Sequence, residues 1–168
     1  MDTQFKPTDI LSEEHREVLK ILDGLDEVLD RMNIKADISR LQGYGKFFKD
    51  EIWTHFIKEE EGLFPEIEKF LPRDSGPIGV MLAEHEYLRA SNDRFQDALA
   101  RVIKNSNDGN AREVVKYEGQ HIISTLRQHI EKEDHILFMM ANMHLDKNQN
   151  EKILRVFQKL EKQRPVRK

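Results

Sequence analysis

A histidine and a glutamate four positions apart share one face of a helix, about one turn from each other. Together they can offer an imidazole nitrogen and a carboxylate oxygen to a single ion. The sequence holds two such pairs, His55/Glu59 and His129/Glu133. The spacing alone is common in a chain this rich in glutamate, and either pair by itself reads as an exposed helix-stabilising contact. Turn midpoints are more selective, because residues at one level of an antiparallel hairpin are equidistant from its turn. His15 and His55 centre on residue 35, inside a break in the helical pattern, and His85 and His129 centre on residue 107, inside another. The His55/Glu59 pair and His85 centre on residue 71, at the edge of a third break. Three independent turns therefore bring His15, His55, Glu59, His85, His129 and Glu133 to one level. Each histidine also lies in register with the apolar stripe of its helix. Four imidazoles and two carboxylates facing one another in a dry core are costly unless compensated, and metal coordination compensates them. Six nitrogen and oxygen donors exceed the four of a tetrahedral zinc site, and the lack of thiolates disfavours copper(I). A carboxylate-bridged pair of iron ions fits the donor count best, ahead of manganese or zinc pairs.

The elements that position these residues are legible in the apolar periodicity. Leu11, Val18, Leu22, Leu25 and Leu29 recur at helical steps, and the pattern lapses over Asn33 to Ser39. It resumes through Leu41, Phe48, Ile52 and His55, where Pro65 is expected to kink or end the helix. The run Pro72 to Pro77 breaks the pattern before a third helix through Met81, Leu88, Phe95 and Val102. Asn105 to Asn110 is a loop, followed by a fourth helix through Val115, Ile122, Leu126 and Leu137 and a shorter fifth over about 150–162. No strand-like alternation competes. The expectation is an all-α chain, with an antiparallel four-helix bundle over about 9–143 and a short terminal helix, forming a single domain over 1–168. The chain also repeats itself. A shift of 70 lays Glu14-His15 over Glu84-His85, and a shift of 74 lays His55-Phe56-Ile57-Lys58-Glu59-Glu60 over His129-Ile130-Glu131-Lys132-Glu133-Asp134. One helical hairpin has been duplicated, and the copies share polar as well as apolar positions.

Composition removes other classes. The chain has 168 residues with a net charge of −4 and no cysteine. That excludes a disulfide scaffold, a thiolate zinc site, a self-ligated iron–sulfur cluster and a thiol nucleophile. An acidic balance argues against a nucleic-acid or anionic-membrane surface. The basic fringe Lys162, Arg164, Arg167 and Lys168 reads as a solvated tail. The opening seven residues lack a signal-peptide core and no 18-residue apolar run exists, so the expected location is cytoplasmic.

The ordered set of motifs resembles the haemerythrin-like, or HHE cation-binding, family over nearly the whole chain. The residues that carry the likeness are His15 after Glu14, the run His55 to Pro65, and Gly76-Pro77-Ile78 leading to Glu84-His85. His129-x3-Glu133 with Leu137-Phe138 and the terminal helix complete the set. The resemblance implies an up-down-up-down bundle around a non-haem di-iron centre. It implies that His15 and His55 serve one iron and His85 and His129 the other, with Glu59, Glu133 and an oxo or hydroxo group as bridges. Oxygen-carrying members have a further histidine where this chain has Arg89, and an Asp ligand at the spacing of Asp134, which is kept as a second choice to Glu133. The pattern is closer to iron-centre repair proteins and to an iron- and oxygen-sensing domain.

Other candidates are read as bystanders. His121, His135 and His144 are surface or partly buried residues, Asn92 and Tyr44 pack structurally, and Met139, Met140 and Met143 pack around the last helix. Thr125 and Glu51 are placed to bond the ligand histidines one turn on. In the run Glu59-Glu60-Glu61, one member points inward and two are solvated. The expected function is a di-iron protein that binds or reacts with oxygen, nitric oxide or peroxide, whether or not it turns them over. An iron or oxygen sensor, an iron donor for centre repair, and a structural bundle without metal are the alternatives.

Overall fold

The computed structural model describes residues 5–31 and 34–164. Arg167 and Lys168 of the expected tail lie outside the described residues. Seven α-helices and two wider π turns follow one another, with no strand among the described residues. Helix α1 (Pro7–Arg31) and α2 (Ile34–Ile57) form the first hairpin; a π turn (Lys58–Leu63) then leads into the short α3 (Phe64–Ile67). Helix α4 (Pro77–Lys104) and α5 (Gly109–Lys132) form the second, where a π turn (Glu133–Leu137) leads into α6 (Phe138–His144). Helix α7 (Lys147–Lys162) ends the described chain. Helix α1 packs on α2 and α5, and α4 packs on the same two, which closes the expected four-helix bundle.

The helix starts have local causes. Asp37 lies in the first turn of α2, where a carboxylate complements the positive helix end, and it takes the Arg31 guanidinium at 2.9 Å. That contact lets α2 begin at Ile34, inside the stretch where the apolar pattern lapses. Asp146 caps α7 through a reciprocal pair with Gln149, so this helix starts about one turn earlier than its apolar residues suggest. Gly76, at φ 134°, makes the sharp entry into α4 that a side chain would resist.

Pro65 does not cause the irregularity in the second strut of the bundle. The π turn precedes it, and the duplicated π turn occurs where Met139 stands at the corresponding position. What the two copies share is the ligand-spaced His and Glu, a following carboxylate, and Leu-Phe. Each π turn adds a residue to its helical turn, and the apolar stripe beyond it moves round accordingly. Leu137, Phe138 and Ala141 then face inward, while Met139 and Met143 turn outward at 57% and 77% exposure. These two methionines therefore do not pack around α7 as expected.

The core falls into two apolar clusters. One contains Val18, Leu22, Ile52, Phe56, Leu88, Leu126 and their neighbours. The other contains Leu11, Leu63, Phe64, Met81, Leu137 and Phe138, together with Ile153 and Phe157 of α7. Along every bundle helix the predicted site residues fall between members of the two. Helix α7 closes the second cluster over the first π turn, where Gly62 lies under the Phe157 ring. Arg164 continues this docking through Glu51 at 2.5 Å, so it is no part of a solvated tail.

A Cβ on Gly62 would meet Phe157 at 2.8 Å, whereas one on Gly43 of α2 would meet nothing within 4 Å. Urea denaturation should therefore show Gly43→Ala stabilising the protein by up to about 1 kcal/mol through helix propensity. Gly62→Ala should lower stability by about 1–3 kcal/mol through overpacking.

Candidate metal centre

All six predicted residues meet in one buried layer. Two overlapping groups form, His15, His55, Glu59 and Glu133, and Glu59, His85, His129 and Glu133. Within each, one donor atom per residue lies within 4.8 Å of the others. Glu59 and Glu133 belong to both groups and have no solvent exposure.

Their contacts are the informative part. The Glu59 oxygens lie 3.0 Å from His55 Nε2 and 3.2 Å from His85 Nε2. Those of Glu133 lie 3.1 Å from His15 Nε2 and 3.2 Å from His129 Nε2. Yet none of the four buried carboxylate oxygens has a hydrogen-bond partner. The imidazoles also meet one another, with Nε2 atoms 3.0 Å apart for His15 and His55 and 3.2 Å for His85 and His129, both at hydrogen-bond distance. Two donors at right angles around one ion, each about 2.1 Å from it, are separated by about 3.0 Å. Carboxylate oxygens that crowd imidazole nitrogens to this distance without hydrogen-bond geometry are aimed at common points between them. The donor set, four imidazole nitrogens and two carboxylates, suits iron, manganese or zinc.

The outward nitrogens explain how the rings are held. His15 Nδ1 lies 2.9 Å from Asp134, His55 Nδ1 2.7 Å from Glu14, His85 Nδ1 2.7 Å from Glu60 and His129 Nδ1 2.7 Å from Glu84. A carboxylate only accepts, so each Nδ1 donates a proton, which leaves Nε2 as the nitrogen that faces the centre and can bind an ion once its own proton is displaced. Lys58 and Lys132 donate in turn to Glu14 and Glu84, and Arg89 donates to both oxygens of Glu60 at 2.9 and 3.0 Å. The π turns make this possible. Consecutive residues Glu59 and Glu60 grip both nitrogens of His85, and Glu133 and Asp134 grip both nitrogens of His15. Aromatic rings fix the imidazole planes: Phe56 stacks on His85 with centroids 3.9 Å apart, and Phe138 stacks on His15 at 5.4 Å.

Asp134, the second choice, stands outside the cluster, bonded to His15 and to the Ser12 hydroxyl, while the preferred Glu133 stands inside it. Other expectations are corrected by this arrangement. Glu60 is not a solvated member of its run, because it orients His85. The Nδ1 atoms that Thr125 and Glu51 were placed to bond are taken by Glu14 and Glu84, and Glu51 pairs with Arg164. The outer carboxylates were missed although a signal existed: Glu14/Glu84, Glu60/Asp134 and Lys58/Lys132 are repeated polar pairs flanking the ligand positions. The remaining histidines stay outside, as expected. His121 meets Tyr87, His135 is exposed beside Glu131, and His144 lies against Phe70. Asn92 donates to the Phe48 carbonyl and Tyr44 receives Arg40, both structural contacts.

The electrostatics show what the cluster demands. Burial works to lower the pKa of His55, but the charge of Glu59 and the hydrogen bond to Glu14 raise it to about 10. Burial opposes protonation of His129 as well, and Glu133 and Glu84 bring it to about 10. His15 and His85 are likewise raised against the effect of burial, by Asp134 with Glu133 and by Glu59 with Glu60. Burial pushes the Glu133 carboxyl up, and the charges of His129 and His15 hold it well below the usual carboxylate range. Without an ion, the layer thus recruits protons as its counter-charge.

The family model for the Hemerythrin HHE cation binding domain matches residues 6–141. The iron-sulfur cluster repair protein YtfE of Enterobacter sp. (strain 638) is 31% identical over 140 residues, which align 76% of this chain with 59% of that protein. The YtfE proteins of Salmonella typhimurium (strain LT2) and Yersinia pestis (strain Pestoides F) are 31% and 28% identical over the same shares. The chain spans about three-fifths of the length of these curated relatives. No helix among the described residues is long and apolar enough to cross a membrane.

A histidine whose folded pKa exceeds its unfolded value of about 6.5 stabilises the fold fully below that value and loses this contribution as pH rises through the folded pKa. Denaturation of chelator-treated protein should accordingly show stability declining from pH 7 to above pH 10. An ion must displace the same protons, so zinc affinity measured by competition should rise with pH, by about tenfold per unit for each proton displaced.

Proposed function

The chain belongs to the haemerythrin HHE cation-binding family, and from that premise we propose that it is a non-haem di-iron protein acting on a small ligand such as oxygen, nitric oxide or peroxide. In this reading His15 and His55 hold one iron, His85 and His129 hold the other, and Glu59 and Glu133 bridge them. The observation that carries it is the pair of fully buried carboxylates whose four oxygens lack hydrogen bonds while crowding the imidazole nitrogens. When bound, the iron pair supplies redox chemistry and an acceptor for a small ligand.

The chain's own residues do the rest. The four outer carboxylates hold the imidazoles in the tautomer that binds metal and strengthen them as donors. Phe56, Phe64 and Phe138 exclude water from the imidazole faces. The buried glutamates supply two negative charges that favour the oxidised pair.

Among the alternatives, the names of the curated relatives favour repair, in which the protein donates iron to a damaged iron–sulfur centre. These 168 residues contain no cysteine, so such a role would run through the metal pair itself. Transfer of iron from the loaded protein to a metal-free iron–sulfur acceptor supports repair; retention of both irons in the acceptor's presence rejects it. The uncompensated layer also favours a sensor whose fold tightens on loading. Equal protease resistance with and without metal would reject that mechanism.

Iron analysis with absorption spectroscopy tests the main reading. About two irons per chain are expected, with charge-transfer bands of a bridged ferric pair. Glu59→Ala and Glu133→Ala should each lose metal, whereas His144→Ala should keep both ions. A ferric protein without those bands contradicts the di-iron assignment.

A further inference from the structure

The inner six residues obey the internal repeat, but the charges behind them do not. A shift of 70 lays Leu19 over Arg89 and Ser12 over Leu82, so each half carries an outer group that the other lacks. Arg89 donates to both oxygens of Glu60 and lies over the Trp53 ring, 5.6 Å from its centroid. Glu60 is therefore neutralised where it meets His85. Among the described residues its counterpart Asp134 has only the Ser12 hydroxyl, at 2.9 Å, beside its bond to His15. The lysines differ too. Lys132 serves Glu84, whereas Lys58 divides its charge between Glu14 and Glu161, the latter at 2.6 Å. Behind His15 and His55 stand Asp134, Glu14 and Glu161 against Lys58 and Arg164, the latter reaching Glu161 at 3.1 Å. Behind His85 and His129 stand Glu60, Glu84 and the exposed Glu86 against Arg89 and Lys132, so the halves match in charge count and differ in placement: Arg89 lies on the Nδ1 carboxylate Glu60, whereas among the described residues no Lys or Arg bonds Asp134.

Resting on the two-ion reading, we propose that these outer charges make the two positions unequal, so that the ion at His15 and His55 is held more tightly than the ion at His85 and His129. Asp134 and Arg89 are the positioning residues that set the difference. An un-neutralised carboxylate draws the Nδ1 proton more strongly, makes its imidazole a better donor, and places a nearby negative charge that attracts a cation directly. A guanidinium on the carboxylate does the opposite on both counts. Most of these groups are partly or wholly buried, so solvent and salt screen the difference less than on an open surface. Outer partners of metal-bound histidines are worth about 10–100-fold in metal affinity. The looser position is the one from which an ion would exchange, which gives an iron donor a defined point of release.

The test loads metal-free protein with one equivalent of cobalt(II), crystallises it and locates the ion by its anomalous scattering. Wild type should carry most of the cobalt between His15 and His55. Asp134→Asn should move the ion toward His85 and His129 and weaken the tighter binding step about tenfold or more. Arg89→Leu, which copies the other half, should even out the two positions, and Arg89→Lys should preserve the wild-type preference because it keeps the charge. Equal occupancy in wild type, or a preference that neither Asp134→Asn nor Arg89→Leu changes, overturns the proposal. If Arg89→Leu does not fold, Asp134→Asn decides alone. Cobalt bound at neither position, even in excess, would instead overturn the two-ion reading beneath it.

Discussion

Two buried glutamates without hydrogen bonds govern this molecule. Glu59 and Glu133 place four carboxylate oxygens in a dry layer, where unpaired charge costs several kcal/mol per group. Nothing in the apolar clusters above and below can answer them. Their counter-charge must come from the imidazoles, as protons, or from ions held between the imidazoles. Every other feature of the interior follows from keeping that choice available: the histidines in the apolar stripes, the carboxylates behind them and the phenylalanines against their faces.

The duplicated hairpin meets this demand economically. One unit supplies two histidines, a bridging carboxylate, a second carboxylate for a histidine of the other hairpin, and a third for its own histidine with a lysine to hold it. The π turn is what joins these roles, because it lets neighbouring residues reach the two ends of one imidazole on another helix. The halves then diverge where they meet the rest of the protein. Helix α7 buries Lys58 at 3% exposure over the first π turn, while Lys132 over the second is 37% exposed. Symmetry at the donors with asymmetry behind them separates the ability to hold ions from the ranking of the two positions.

Much of this was legible in the sequence. The bundle follows from apolar periodicity, and the six inner residues follow from turn midpoints, because both depend on helical geometry that the chain repeats throughout. The π turns were not legible, since an inserted backbone residue leaves no mark of composition, and Pro65 offered a false local cause. The missed π turn also misplaced Met139 and Met143, whose side depends on the register beyond it. The outer carboxylates were visible as repeats but lacked a geometric reason until the imidazole edges were known. Arg89 stood out only as a missing histidine; its hold on Glu60 depends on a contact between α4 and the first π turn.

In the proposed di-iron reading a pair of ions is bound by nitrogen and oxygen donors alone, within reach of each other across two shared carboxylates. X-ray absorption at the iron edge of the loaded protein tests this most directly. An inner shell of nitrogen and oxygen only is expected, with outer scattering from imidazole rings at about two per iron and an iron–iron contribution that disappears in Glu133→Ala. Isolated irons with no metal–metal scattering, or a shell without imidazole, would contradict it.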